Sequence, residues 1–454
     1  MKKLVGLFVC ILMMSGPFVR AEDYSGSNFM LTTDIESGCV RLLTAKIEAF
    51  YSGVQHDFGL TPGASLHIYY SKTEADTQKL LDEHGYKVKA ECGYFSPEAY
   101  TVYAHRFQNN GQVCSTDLLF YEISQGIVIK SFPNCPPWFL HGLAAFLGEQ
   151  RTVTKDGLTA AMPNPRRGQI LRNSIEKGIR PSVKRLFVNS DAERFSNWDI
   201  GSHLARALFC WLDETGELER YLYKVRSEGY ELAAIESCVD KPDEKINLEL
   251  IKFIKKFCYA GAYLKDGLDA NDPAQKEQAF LKALELKPNY PAALLELSKL
   301  YYKQKDYEKC RHYLSQILSN TACADYREAE ELMADIYYGS ENDYSSALKH
   351  YLAAWKYSDY YEYKYRTAYK IANCYYKLKE PDNAQLWYQK FLDSNWEPEK
   401  MKSQVEYAKK YTGAQEMTEQ KSANENTDQN NPQTTGPNKP PAPQSGRTKV
   451  KLQT

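Results

Sequence analysis

The residues whose types could do chemistry lie close together, in the stretch DLLFYEISQGIVIKSFPNCPPWFLHGLAAFLG at 117–148. Glu122 offers a carboxyl, His141 an imidazole, and Tyr121 and Gln125 stand four residues apart. On a helix, positions i and i+4 share a face and can reach one metal ion together. A catalytic zinc site needs three imidazole, thiolate or carboxylate donors and an open position for water. Here the i and i+4 positions hold a neutral phenol and an amide, which are poor zinc donors. Glu122, a general base by type, would then have no metal-bound water to deprotonate.

Two elements must position these groups, a helix over 117–130 and a second one opened by Pro136 and Pro137. Their order and spacing resemble the active-site helices of gluzincin zinc peptidases, and in particular the secreted peptidase-MA-like branch. That family carries His-Glu-x-x-His on the first helix and Trp-x-x-Glu-Gly-x-Ala on the second. The present chain matches at Glu122, Trp138, Gly142, Leu143, Ala144 and Phe146. It departs at Tyr121, Gln125 and His141, which occupy the three ligand positions. The resemblance implies an α+β gluzincin-like domain over residues 22–245 that has lost its metal, a pseudo-peptidase with no cofactor. Tyr121 and Gln125 are then polar fillers of an old cavity, and His141 is expected to donate a hydrogen bond to Glu122. The rival reading is a working metallopeptidase with non-standard ligands, Glu122 and His141 joined by another loop residue. A hydrolase or carbohydrate-binding protein unrelated to peptidases is a third, weakened by the lack of a visible carboxylate pair. Cys135, six residues before His141, invites a thiol–imidazole reading, whereas His203, beside Leu204 and Leu208, reads as a core-edge histidine.

The rest of the chain narrows the class. Its 454 residues are enough for roughly two or three domains. A formal net charge of −1 gives no sign of a nucleic-acid partner. Residues 1–21 read as a cleaved signal peptide: Lys2 and Lys3, an apolar run from Leu4 to Met14, then Val19-Arg20-Ala21. Export to a periplasmic or extracellular compartment follows as an expectation, with no integral membrane segment. Bulky Val9 before Cys10 argues against lipid attachment. Export permits disulfides, and Cys92, Cys114 and Cys135 are the best candidates; Cys310 and Cys374 fall where a buried thiol serves as a small hydrophobe. Phosphate loops, Gly-x-Ser-x-Gly elbows and dinucleotide fingerprints are all missing from the sequence.

Alternation and helical periodicity predict strands at 29–33 and 65–71, helices at 39–58 and 74–84, and further sheet segments near 87–94 and 100–108. Helices are expected again at 198–214 and 218–228. Beyond this the chain becomes helical and tyrosine-rich. Tyr301-Tyr302-Lys303-Gln304, Asp306-Tyr307, Cys310, Leu314 and Ile317 are followed about 36 residues later by Ile336-Tyr337-Tyr338, Asp343-Tyr344, Ala347, Tyr351 and Ala354. Cys374-Tyr375-Tyr376-Lys377, Ala384, Tyr388 and Phe391 repeat the pattern, and a weaker unit ends at Ala283–Pro288. These units resemble tetratricopeptide repeats, in which small residues let two helices approach and each hairpin buries a face by stacking on the next. Lys276, where a small residue is expected, marks the first unit as degenerate.

The whole is thus read as an α+β gluzincin-like N-terminal domain followed by an all-α tetratricopeptide-repeat solenoid over 246–411. The resemblance places Lys299, Tyr302, Lys303, Tyr338, Arg366, Tyr369, Asn373, Tyr376 and Lys377 along the concave groove, where an extended peptide of a partner protein would lie. Several of these tyrosines could equally be hairpin packing. Residues 412–454 carry almost no large apolar side chain and are expected to be disordered. Within them, Pro437–Gln444 reads as a spacer or as a ligand for another module.

Overall fold

The computed structural model describes residues 22–413, apart from 36, 62, 64, 106–107, 110–111, 114–116, 151–152, 155–156, 189–199, 320–325, 358–360 and 395–400. The expected signal peptide and all but the first two residues of the expected tail lie outside this range. Among the described residues, no helix is long and apolar enough to cross a membrane.

Strand periodicity builds the N-terminal sheet. Phe29, Leu31 and Thr33 are buried while Met30 and Thr32 face outward, the period of two that a pleated strand imposes. Five strands pair in the order β1-β2-β3-β5-β4: Glu22–Ser25, Phe29–Thr33, Leu66–Ser71, Thr101–His105 and Tyr94–Ser96. The β2–β3 and β3–β5 pairs are parallel, and both outer pairs are antiparallel. Each parallel step is bridged by a helix, α1 (Ser37–Phe58) and α2 (Glu74–Glu83), as such crossovers require. Thr73 caps α2 by accepting from the Asp76 amide. Segment 87–93, expected to be part of the sheet, instead turns through a short 3-10 helix at Ala90–Cys92.

Two helices follow, α3 (Asp117–Ser131) and α4 (Pro137–Gly148), with Pro137 at the first position, where a missing N–H is harmless. Small residues set how closely they approach their neighbours. A Cβ at Gly126 would stand 3.2 Å from Leu66 of β3, and one at Gly148 would lie 2.5 Å from the Phe120 backbone. At Gly142 it would come within 2.7 Å of Ala205, on the helix Ile200–Glu214. Gly142 is therefore a crossing point between helices.

Further along, α5 (Pro165–Glu176) and α6 (Val183–Val188) precede a run of helices that ends in one long element. It runs as α-helix over Asp243–Phe253, widens to a π-turn at Ile254–Cys258, and resumes over Tyr259–Asp269. Its first half is packed into the N-terminal core, which extends from Phe29 to Cys258. The second half belongs to the next core, from Ala260 to Ile336. Helix α5 crosses it at the π-turn, where a Cβ at Gly168 would meet the Cys258 carbonyl at 2.1 Å and one at Gly261 would meet the Asn164 carbonyl at 2.8 Å. Arg172 clamps the crossing with a two-pronged ion pair to Asp266, at 2.6 and 2.8 Å, and the Tyr290 hydroxyl donates to the Pro163 carbonyl at 2.7 Å.

Helical repeats fill the C-terminal half. Among the described residues the antiparallel hairpins are Tyr259–Asp269 with Pro273–Leu286, Pro291–Lys303 with Tyr307–Leu318, Tyr326–Ile336 with Tyr344–Tyr357, and Tyr361–Lys377 with Pro381–Ser394. The helix Lys402–Thr412 packs on the last of them. Cys310, Ala347 and Ala384 are fully buried at the expected small positions. In the first hairpin Lys276 stands at that position, and the two helices approach closely at Gly267, where a Cβ would lie 2.3 Å from the Phe280 ring. The third hairpin owes its longer period to a π-turn at Tyr337–Glu341, which absorbs extra chain within the helix end.

Candidate functional site

The four residues singled out by spacing form two separate pairs, of which one lies where α3 faces α4. Tyr121 Oη and His141 Nδ1 share a hydrogen bond of 2.8 Å, and Gln125 Nε2 donates to Glu122 Oε2 at 2.5 Å. The pairing differs from the expectation that His141 would donate to Glu122. Tyr121 and His141 project into the gap between the helices, whereas Glu122 points toward the sheet, where a Cβ at Gly93 would lie 3.3 Å from its side chain. Glu122 therefore finds its partner one turn along its own helix.

Burial dominates the electrostatics. Desolvation, and then the charge of Glu149, hold the Glu122 carboxyl well above the usual carboxylate range. Burial, and then the Arg167 guanidinium, push His141 down to about 4. At neutral pH His141 is thus an uncharged imidazole, while burial disfavours the charged form of Glu122. Cys135, considered as a nucleophile and as a disulfide candidate, is neither: it is a free thiol that burial pushes up to about 12. Cys238, Cys258, Cys310 and Cys374 are also free thiols, and the side chains of Cys92 and Cys114 lie outside the described residues.

Spacing alone missed the groups behind this pair. Glu149, directly after α4, accepts from Arg167 at 2.5 and 2.8 Å and from Asn164 at 2.9 Å. Asn164 also caps α5 by accepting from the Arg167 amide at 3.0 Å. Arg167 Nη1 lies 3.1 Å from His203 Nδ1, so His203 is a buried member of a polar network. Arg206 donates to the carbonyls of Ala145, Glu149 and Met162. A signal for them existed. Helix α4 is apolar on almost every side yet ends against Glu149, and Arg206 sits amid Ala205, Ala207 and Leu208. A charge bordered by so much apolar surface must find a partner. Although burial opposes it, the combined pull of Arg167, Arg206 and His203 keeps Glu149 below its ordinary range.

Chemically, this arrangement holds polar side chains in place but presents no ready donor set for a metal. Tyr121 engages the imidazole nitrogen that faces it, and Gln125 engages the carboxyl. Among the described residues, no three His, Cys, Asp or Glu side chains converge as a ligand group.

The nine residues expected to line the groove divide by what they touch. Lys299 is bound to Glu296 and Glu328 at 2.9 and 2.8 Å, and Asn373 accepts from the Tyr388 hydroxyl at 2.7 Å. Both serve the array itself. Tyr302 packs edge-on to Tyr307, Tyr338 to Tyr344, and Tyr369 lies against Tyr388 and Phe391. Lys303, Arg366, Tyr376 and Lys377 remain exposed. Arg366 touches the hydroxyl of Tyr365, and Lys377 hovers 5.9 Å from the Tyr344 ring. Between hairpins, Lys370 pairs with Asp335 and Thr367 donates to Glu331. Lys299 and Lys370 thus help to join one repeat to the next.

Neither a family model nor a curated protein sequence matches this chain. Among solved structures it is similar to one titled "Crystal Structure of the Yeast Tom70", at 14% sequence identity over 55% of this chain and 73% of that one, with a TM-score of 0.21.

Proposed function

We propose that the chain is a non-catalytic protein-interaction scaffold, exported from the cell, that holds an extended segment of a partner protein along its tetratricopeptide-type repeats. The carrying observation is the succession of helical hairpins with Lys303, Arg366, Tyr376 and Lys377 exposed along it. Stacked hairpins give an extended surface, tyrosine supplies contact area with few rotors to freeze, and the cations can grip carboxylates or backbone carbonyls. The N-terminal domain is read as a gluzincin-like fold kept for its shape. What supports this is the pairing of Tyr121 with His141 and of Gln125 with Glu122.

Two measurements on the purified mature chain test the proposal. Selection from a library of displayed extended peptides should enrich sequences that lose binding to an Arg366→Glu/Lys377→Glu variant by about tenfold or more, the scale of two lost charge-assisted contacts. Binding unaffected by those substitutions would move the site elsewhere. Metal analysis after chelator-free purification should give far less than one zinc per chain. Stoichiometric zinc that disappears in Glu122→Gln or His141→Ala would favour a metallopeptidase with unusual ligands.

A further inference from the structure

At the C-terminal end of the repeats, five tyrosines from three helices meet. Tyr369 and Tyr376 lie on Tyr361–Lys377, Tyr388 on Pro381–Ser394, and Tyr407 and Tyr411 on Lys402–Thr412. Ring centroids follow one another at 5.8 Å from Tyr369 to Tyr388, 4.9 Å to Tyr411 and 5.8 Å to Tyr376, with Tyr407 5.6 Å from Tyr388. Tyr388 is a buried floor. By contrast, Tyr376 and Tyr407 are 47% and 41% exposed. Two large aromatic side chains left this open beside the buried Tyr388 form a surface suited to a ligand.

The chain itself contains a segment with matching chemistry. From Gly413, the 23 residues 414–436 lead to Pro437-Asn-Lys-Pro-Pro-Ala-Pro443. Prolines at 437, 440 and 443 recur every three residues, the period of a polyproline II helix, and in such a helix they would share one edge about 9 Å apart. Such a ridge packs well against aromatic rings, and its carbonyls, unpaired within the helix, accept hydrogen bonds from phenolic hydroxyls. The segment carries one charge, Lys439, in keeping with a surface made of neutral rings. Reach is no obstacle: a polar linker of that length spans roughly 25 Å on average, and the helix from which it leaves carries two of the tyrosines.

We propose that this tyrosine surface is a docking site for the chain's own Pro437–Pro443 segment, folded back in cis. Tyr369 and Tyr376 are also read as groove residues, so a partner peptide held there would have to displace the segment. That regulatory consequence rests on the groove reading; the docking does not.

The test uses a fluorescent peptide covering residues 434–446 and three full-length proteins. These are the natural chain, a tail variant Pro437→Ala/Pro440→Ala/Pro443→Ala, and the same tail variant carrying Tyr376→Ala/Tyr407→Ala. The peptide should bind the tail variant saturably. Its apparent affinity for the natural chain should be about tenfold weaker, because the tethered copy competes at an effective concentration on the order of millimolar. Binding should be lost in the tyrosine variant, and a Tyr376→Glu single variant that melts like the natural protein should repeat the loss. No saturable binding to the tail variant, equal binding to it and the natural chain, or binding indifferent to the tyrosines would each overturn the proposal. So would a concentration-dependent doubling of mass that the proline substitutions abolish, since the segment would then reach a second copy. A peptide library that yields no partner would count against the groove while leaving these outcomes readable.

Discussion

Glu122 and His141 respond to pH in opposite directions. The Glu122 carboxyl is raised in the folded protein, so its contribution to stability is complete below its unfolded value near 4.5 and is lost as pH rises through the folded value. Replacing it by Gln, which keeps an acceptor for Gln125, should raise the melting temperature at pH 8 and change it little at pH 4. An unchanged or lower value at pH 8 would show that the carboxyl is ionised and satisfied there. His141 falls from 6.5 to about 4. Its stabilisation is present above 6.5 and fades as pH drops toward 4, by up to about 3 kcal/mol. Urea melts of His141→Gln should therefore lose less stability than the natural chain between those limits. The placement of these positions on two successive helices was legible in residue type and spacing. Their partners were not, because Glu149 and Arg167 are 18 residues apart, one just past the end of α4 and the other in α5.

Close helix crossings explain most of the glycines inside helices. Gly168→Ala would place a methyl group against the Cys258 carbonyl, a backbone atom that cannot swing aside. The expected loss is about 3 kcal/mol, the upper end for overpacking. Gly339→Ala, which meets nothing within 4 Å, is the control and should be near neutral. Equal denaturation midpoints for the two would mean that α5 is not seated on the π-turn. The repeats were readable because small and large residues recur at a fixed spacing. Gly168 was not, since its contact lies some 90 residues downstream and breaks no local pattern. The strand Glu22–Ser25 escaped notice for another reason: four residues at a sheet edge show almost no alternation.

At the scale of the whole molecule, the change of character near Leu248 was visible in composition, yet the structure does not separate there. Ile246, Leu250 and Phe253 are packed into the N-terminal core, and Ala260 and Leu264 of the same element into the next. The helix continues through both, interrupted by the π-turn at Ile254–Cys258 and by no proline or loop, so nothing in the sequence announces the change of core. A chain ending at Lys245 should fail to give a cooperative melt and should elute as aggregate. One ending at Leu286, which retains the full element and its first hairpin, should melt cooperatively as a monomer. Cooperative folding of the shorter chain would show that the buried residues 246–258 are dispensable to the N-terminal core.

The element Asp243–Asp269 has a consequence for descent. Genetic recombination between its two ends would hand each product half of a shared interior, so crossovers inside it should be purged by selection. The two halves of this molecule would then travel through evolution as a single unit of inheritance, and a lineage that discards the repeats must find new apolar side chains to cover the surface they leave behind.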